Sequence, residues 1–187
     1  MATTDAVAAN KIDLEIVTPR GRALSALVDE VTAPSVAGEF GVLPGHLPLL
    51  AALRAGIVTY KEGSETRRVA VGSGFAEAGA NKLLILTDEY TERDKVDPVL
   101  VRKELAEVDE KIAKLETAPI TTDAKPAVGV GGAADAESLK ALIARENWLA
   151  VQLELYGDPP PATMRPFEEF GPPPPPPDDE VPQESTK

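Results

Sequence analysis

Near the start of the chain Ile12, Leu14 and Ile16 alternate with Asp13 and Glu15, a period of two that predicts a half-buried strand. Similar short runs recur at Ala26 to Ala33, Leu47 to Leu53, Gly56 to Lys61, Arg67 to Val71, Phe75 to Ala78 and Lys82 to Thr87, separated by Gly, Pro or Asn. Glu62-Gly63-Ser64 joins two of these runs as a hairpin, and Gly79-Ala80-Asn81 joins two more. Strands of this length and spacing predict an all-β sandwich or barrel over residues 11–95, preceded by a flexible start at 1–10.

The period changes after Val96. Val101, Leu105, Val108, Ile112 and Leu115 follow one another at helical spacing, with Lys103, Glu104, Glu107 and Lys111 on the other faces. That is a helix with one narrow apolar seam. Asp97 is placed to cap its N-terminus, and Pro98 suits the first helical position, where a missing N–H costs nothing. Residues 117–134, rich in Ala, Gly, Thr and Pro, read as a flexible connector. A second helix is predicted from Asp135 to Tyr156, with Leu139, Leu142, Leu149, Leu153 and Tyr156 on one face. Two helices with one stripe each make a hairpin over 96–156 that either closes on itself or lies open on something else.

Gly157 ends that helix, and 11 of the 18 prolines lie beyond it, including Pro172 to Pro177. Such a segment buries too little apolar surface to offset its ordering entropy, which predicts a disordered acidic tail over 157–187. A docking ligand for an aromatic-lined groove is the functional alternative. A solvated tail is the simpler reading, because the proline run has no basic flank.

The chain has 187 residues, 19 Lys and Arg against 31 Asp and Glu, and a formal charge of −12. This balance argues against a duplex nucleic-acid binder, which needs clustered cations to displace counterions, and against direct adsorption to anionic lipid. With no cysteine there is no disulfide frame, zinc knuckle, iron–sulfur cluster or thiol nucleophile, and a reducing compartment fits. Met1 to Ala9 lacks the cationic start and long apolar core of a secretion signal, and no segment approaches the ~18 apolar residues of a membrane span. The expectation is a soluble protein that meets a membrane only through a partner.

Little in the chain suggests catalysis. Asp29-Glu30, Asp88-Glu89 and Asp178-Asp179-Glu180 are adjacent carboxylates, but neighbours along a strand point to opposite faces. Gly72-Ser73-Gly74 lacks the lysine of a phosphate loop and opens onto another strand, so it reads as a bend or bulge. His46 is the sole imidazole, which excludes a multi-histidine metal site and leaves no credible nucleophile–base pair. No catalytic residue, cofactor site or metal site is predicted.

The most informative stretch runs from Gly38 to Leu50, where two prolines and several glycines predict an irregular backbone carrying Phe40, Val42 and Leu43. Either the loop is built to touch another protein, with Glu39, Phe40, Val42, Leu43, Pro44 and His46 as the contact, or it folds back over the core.

These residues resemble a known family, the epsilon subunit of the bacterial F-type rotary ATP synthase, called delta in mitochondria. Three matches carry the resemblance: Gly41-Val42-Leu43-Pro44-Gly45-His46-Leu47-Pro48-Leu49-Leu50 followed by Leu53 and Gly56; Val71-Gly72-Ser73-Gly74-Phe75-Ala76-Glu77; and a sandwich followed by a helical hairpin. The resemblance implies a ten-stranded β-sandwich in the foot of the central stalk, bound to the gamma subunit and resting on the ring of c subunits. It would be a peripheral subunit on the cytoplasmic face of the bacterial plasma membrane, in a proton-translocating complex. The loop from Glu39 to His46 would then face the ring and gamma, with Glu39 a polar contact. The hairpin, with Val101, Leu105, Val108, Ile112, Leu115, Leu142, Leu149 and Leu153 as its seam, would reach the catalytic alpha/beta head and inhibit ATP hydrolysis. Such a subunit couples and gates rotation and is not itself the enzyme.

One departure bears on ligands. Certain bacterial members bind ATP through I/L-D-x-x-R-A at the start of the first helix, whereas here the stretch is Val96-Asp97-Pro98-Val99-Leu100-Val101. Leu100 stands at the position of the arginine, which removes the chief anion contact and argues against tight ATP binding. Two other readings stay open on the sequence: a sandwich and hairpin that sense a small ligand such as ATP, and a free-standing coiled-coil adaptor.

Overall fold

The computed structural model describes residues 10–116 and 131–159. The N-terminal alternation becomes β1 (Ile12–Thr18), which buries Ile12, Leu14 and Ile16 completely. β2 (Gly21–Val28) folds back on it antiparallel, with a bulge at Ile16/Val17. A bend at Asp29 separates β2 from β3 (Glu30–Ser35), so the run read as one segment from Ala26 to Ala33 is two strands in different layers. The stretch from Gly38 is a second correction. Gly38–Val42 is a strand, β4, paired with β3 from Ser35↔Gly38 to Val31↔Val42, and only residues 43–48 are irregular. Glycine-rich composition concealed this strand, because its pairing comes from β3 rather than from its own propensity.

β5 (Leu49–Leu53), β6 (Gly56–Glu62), β7 (Glu65–Val71), β8 (Gly74–Ala78) and β9 (Lys82–Thr87) follow the predicted runs closely. The hairpins fall at Gly63-Ser64 and at Gly79 to Asn81, as read. A short β10 (Tyr90–Glu92) completes ten strands. The hydrogen-bonded order is β10-β7-β6-β3-β5-β8-β9-β1-β2, with β4 off the path on β3. Only Ser35↔Leu53 pairs β3 with β5, so the sheet turns a corner there into two layers. One layer holds β10, β7, β6, β3 and β4; the other holds β5, β8, β9, β1 and β2. Between them lies one core, with Leu14, Ile16, Leu83 and Ile85 from the second layer meeting Val31, Val42, Val58 and Val71 from the first.

Gly72-Ser73-Gly74 is the bend read from the sequence, and the need for glycine there is steric. A Cβ on Gly74 would stand 1.9 Å from the Leu86 carbonyl oxygen, and one on Gly72 would stand 2.0 Å from Asp88 Oδ1. Only glycine lets the β7–β8 turn lie this close to β9.

After a 3₁₀ turn at Arg93–Lys95, α1 (Pro98–Glu116) begins at the predicted cap. Asp97 Oδ1 accepts from the N–H groups of Val99 (3.0 Å) and Leu100 (3.2 Å). Helix α2 (Gly131–Tyr156) starts four residues before the predicted Asp135. It ends at Gly157, whose φ of +100° allows the Asp158 N–H to reach the Leu153 carbonyl at 3.0 Å. The predicted acidic tail beyond residue 159, the N-terminal segment 1–9 and connector residues 117–130 lie outside the described residues.

The hairpin is folded down on the sandwich. α2 lies against the outer surface of β6 and β7, and α1 packs on α2. A second apolar cluster therefore joins Val101, Leu105, Val108 and Ile112 of α1 to Trp148, Leu149, Val151, Leu153 and Leu155 of α2, and both to Ala70 of β7 and Val96.

Candidate functional site

Of the six residues expected to face a partner, the structure exposes Glu39 and Leu43, half-buries Phe40, Pro44 and His46, and buries Val42 completely. Val42 is a core residue, not a contact: on β4 it points inward opposite Val31. Phe40 packs on the same core. The irregular part is a tight turn in which the His46 N–H donates to the Leu43 carbonyl at 3.0 Å. Gly45, at φ +84°, aims its N–H at the Ala80 carbonyl and so ties this turn to the β8–β9 turn. His46 Nδ1 lies 2.6 Å from the Leu47 carbonyl oxygen. A carbonyl only accepts, so Nδ1 carries the hydrogen. The histidine thus fixes the turn that presents Leu47, which is 80% exposed.

That turn leads onto an open apolar surface that the sequence did not reveal. Leu50 is 73% exposed on β5. Beside it, Ala52 of β5 stands opposite Phe75 of β8, Phe75 opposite Leu86 of β9, and Leu86 opposite Val17 of β1. Each alternates with inward core residues, so all four point outward. Phe75 is 57% exposed and Leu86 48%. Pro19 and the Ser73-Gly74 bend complete a shallow depression of about 730 Å³ over this row. An aromatic ring and aliphatic side chains arranged contiguously and left open to water are the usual sign of a surface that another protein covers. The only sequence signal was that Phe75 and Leu86 occupy the outward phase of their strands, which needs the register to be seen.

The helix seam is assembled largely as predicted. Val101, Leu105, Val108, Ile112, Leu149 and Leu153 are buried, while Leu115 and Leu142 are half-buried at its margin. Tyr156, placed on the same face by the sequence reading, is instead exposed, with the Arg93 guanidinium 5.8 Å from its ring centroid. α2 also carries a second stripe. Ala141, Ala144, Arg145 and Trp148 line a cavity of about 510 Å³ together with Leu53, Ala55 and Gly72 of the sandwich. One side of α2 therefore faces α1 and another faces the sheet, which is why one stripe per helix was an undercount.

The carboxylate pairs serve as ties. Asp29 pairs with Lys11 at 2.7 Å and accepts from the Gly63 N–H, and Glu30 pairs with Lys61 at 2.6 Å. Asp88 accepts from the Ser73 hydroxyl at 2.8 Å, and Glu89 meets Arg145. Among the described residues no three His, Asp or Glu side chains gather as a metal site, and no helix is long and apolar enough to cross a membrane. Where an anion contact would be needed at the start of α1, Val99 and Leu100 are 69% and 63% exposed. Arg102 is turned to Asp158.

Comparison with known proteins gives a consistent result. Residues 11–93 match the ATP synthase delta/epsilon chain beta-sandwich domain. The chain is 37% identical over 110 residues to ATP synthase epsilon chain 2 of Syntrophotalea carbinolica, covering 59% of this chain and 80% of that protein. It is 40% identical over 105 residues to the ATP synthase epsilon chain of Nitratidesulfovibrio vulgaris, covering 56% and 78%. A chain in the cryo-EM structure of the Euglena gracilis mitochondrial ATP synthase, OSCP/F1/c-ring, shares the fold at a TM-score of 0.53 and 21% identity, over 80% of this chain and 79% of that one.

Proposed function

Because the chain belongs to the ATP synthase delta/epsilon family, we propose that it is a non-catalytic subunit of the central stalk that couples gamma to the c-ring and restrains ATP hydrolysis through its helices. The observation that carries this reading is the open row of Val17, Ala52, Phe75 and Leu86, continuous with Leu50 and the Leu43 to Leu47 turn. Gamma covers the row, and the turn, flanked by exposed Glu39, rests on the polar loops of the ring. No chemistry is asked of the subunit. Its work is mechanical: a rigid two-layer wedge carries torque between gamma and the ring, and contact with the membrane is indirect, through the ring. In a bacterial cell this places it at the cytoplasmic face of the plasma membrane.

The sandwich and the hairpin divide the labour at about residue 95. The sandwich core is a cluster separate from the one that holds the helices, so the helices can leave without opening it. In the released state the apolar faces of α1 and α2 would be covered by gamma and the alpha/beta head, where the helices block hydrolysis.

Two measurements test this. Replacing Phe75 and Leu86 together by Lys should abolish co-purification with gamma while leaving the melting temperature of the isolated subunit nearly unchanged, since substitutions at exposed positions usually cost within about 0.5 kcal/mol. Retention of gamma by that variant would refute the assignment of the face. Deleting residues 96–187 should leave assembly intact and raise ATP hydrolysis by the motor; unchanged hydrolysis with the truncated subunit present would remove the inhibitory role.

A further inference from the structure

Arg145 stands midway along α2 and touches all three parts of the molecule. Its Nε donates to Glu104 Oε1 on α1 at 2.8 Å, and Nη2 lies 2.7 Å from the same oxygen. Its Nη1 points to Glu89 Oε1, in the turn between β9 and β10, at 3.4 Å. A second ion pair between the helices and the sandwich, Arg68 with Glu154, is longer at 3.8 Å and joins two parts.

We infer that Arg145 is an ionic clamp for the folded-down hairpin: by holding Glu104 and Glu89 at once, it sets the balance between docked and released helices without any ligand. This rests on the reading of the hairpin as a mobile arm. The geometry suits a bias rather than a permanent lock. The side chains of Arg145, Glu104 and Glu89 are 39%, 44% and 38% exposed, so water and salt reach the cluster. The planar guanidinium fork can serve two carboxylates on different elements, which a point-charge ammonium cannot do in the same pose.

The surroundings make Arg145 the largest favourable charge on Glu89 in the docked state, with Arg20 a smaller one. Glu89 is flanked by Asp88 and faces Glu104, and all three acidic groups come together only when the hairpin is down. Burial pushes the Glu89 carboxyl above the usual range, Arg145 and, more weakly, Arg20 draw it back, and Asp88 and Glu104 push it up further. Without the guanidinium, docking would bring Glu104 toward Asp88 and Glu89 with its main counter-charge gone. The apolar packing of Trp148, Leu149 and Leu153 is untouched by such a change, so the clamp shifts a population and does not unfold the hairpin.

The absence of cysteine allows a direct test on the full chain. Ser64→Cys, in the β6–β7 turn, and Lys140→Cys, on α2, are both exposed and accept spin labels for pulsed electron resonance distances. The otherwise native chain should give one dominant distance. Arg145→Gln should add a longer component, with the released fraction raised about tenfold, equivalent to about 1.4 kcal/mol. From about 0.01 to about 1 M NaCl the screening length falls from about 30 to about 3 Å. Over that range the released fraction should grow in the native chain and stay level in Arg145→Gln. Arg145→Lys should fall between the two. If Arg145→Gln does not fold, Glu104→Gln and Glu89→Gln carry the same test at smaller amplitude. Identical distances and identical salt response in native and substituted chains would overturn the clamp. In the assembled motor, Arg145→Gln should lower ATP hydrolysis by releasing the arm; a shift in distances with unchanged hydrolysis would leave the clamp standing and count against the inhibitory reading instead.

Discussion

Two cross-strand pairs occupy equivalent outward positions on the two layers of the sandwich and have opposite surroundings. Ile57 stands opposite Ala70 on β6 and β7, and α2 lies over them, leaving Ala70 with no exposed surface. Phe75 stands opposite Leu86 on β8 and β9, and among the described residues no element covers them, so each keeps about half its surface in water. The residues chosen differ accordingly. The covered face uses a small alanine that lets a helix come close, whereas the open face offers a large ring with aliphatic neighbours in one row. A face that binds a helix of its own chain and a face that awaits a partner are both apolar. What separates them is whether the covering element is tethered to the same sheet.

Breaking the covered face should have the largest effect. Leu149 is 1% exposed at the centre of the helix cluster, and Leu149→Ala should cost about 2–5 kcal/mol of hairpin stability. Hydrogen exchange should show α1 and α2 amides opening while β1 and β9 amides keep their protection; equal loss in both would mean that the two clusters melt as one. Next comes Gly74→Ala, which forces a methyl group against the Leu86 carbonyl and should cost about 1–3 kcal/mol, measured by urea unfolding. Because β8 must then move relative to β9, this variant should also loosen gamma association, unlike a surface change of the same cost elsewhere.

Asp97→Ala removes the acceptor for two N–H groups at the start of α1 and should cost about 1 kcal/mol, seen as faster exchange in the first turn of that helix. The smallest effect belongs to a tie that neither face uses. Hydrogen bonds from Lys11 and from the Gly63 N–H hold the Asp29 carboxyl below the usual carboxylate range. A carboxyl lowered in the folded state adds stability that is present above its unfolded pKa of about 4 and is lost as pH falls through the folded value. Asp29→Asn should therefore melt slightly lower than the native chain at about pH 7 and equally at about pH 2. A gap that persists in acid would assign the effect to packing.

Much of the fold could be read along the chain because the information is local. The alternation of Ile12, Leu14 and Ile16, the Gly63-Ser64 turn, the Asp97-Pro98 start and the seam from Val101 to Ile112 each depend on residues within a few positions of one another, and each formed as read. The reading failed where a neighbour from elsewhere supplied the order. β4 exists because β3 pairs with it, and α2 carries a second stripe because a sheet lies on its other side. Val42 looked like part of a contact loop until its strand phase turned it inward.

The sequence by itself determined the two kinds of element, their breaks and the resemblance carried by the stretches around His46 and Phe75, since periodicity and turn chemistry act over one or two turns of chain. The tertiary structure decided the rest. Val17, Ala52, Phe75 and Leu86 form one surface only because four strands, one of them parallel, come into register. Arg145, Glu104 and Glu89 meet only because a helix hairpin folds back across the sheet. Both arrangements join residues from distant parts of the chain, and such pairings follow from the burial of whole faces rather than from the preference of any one segment.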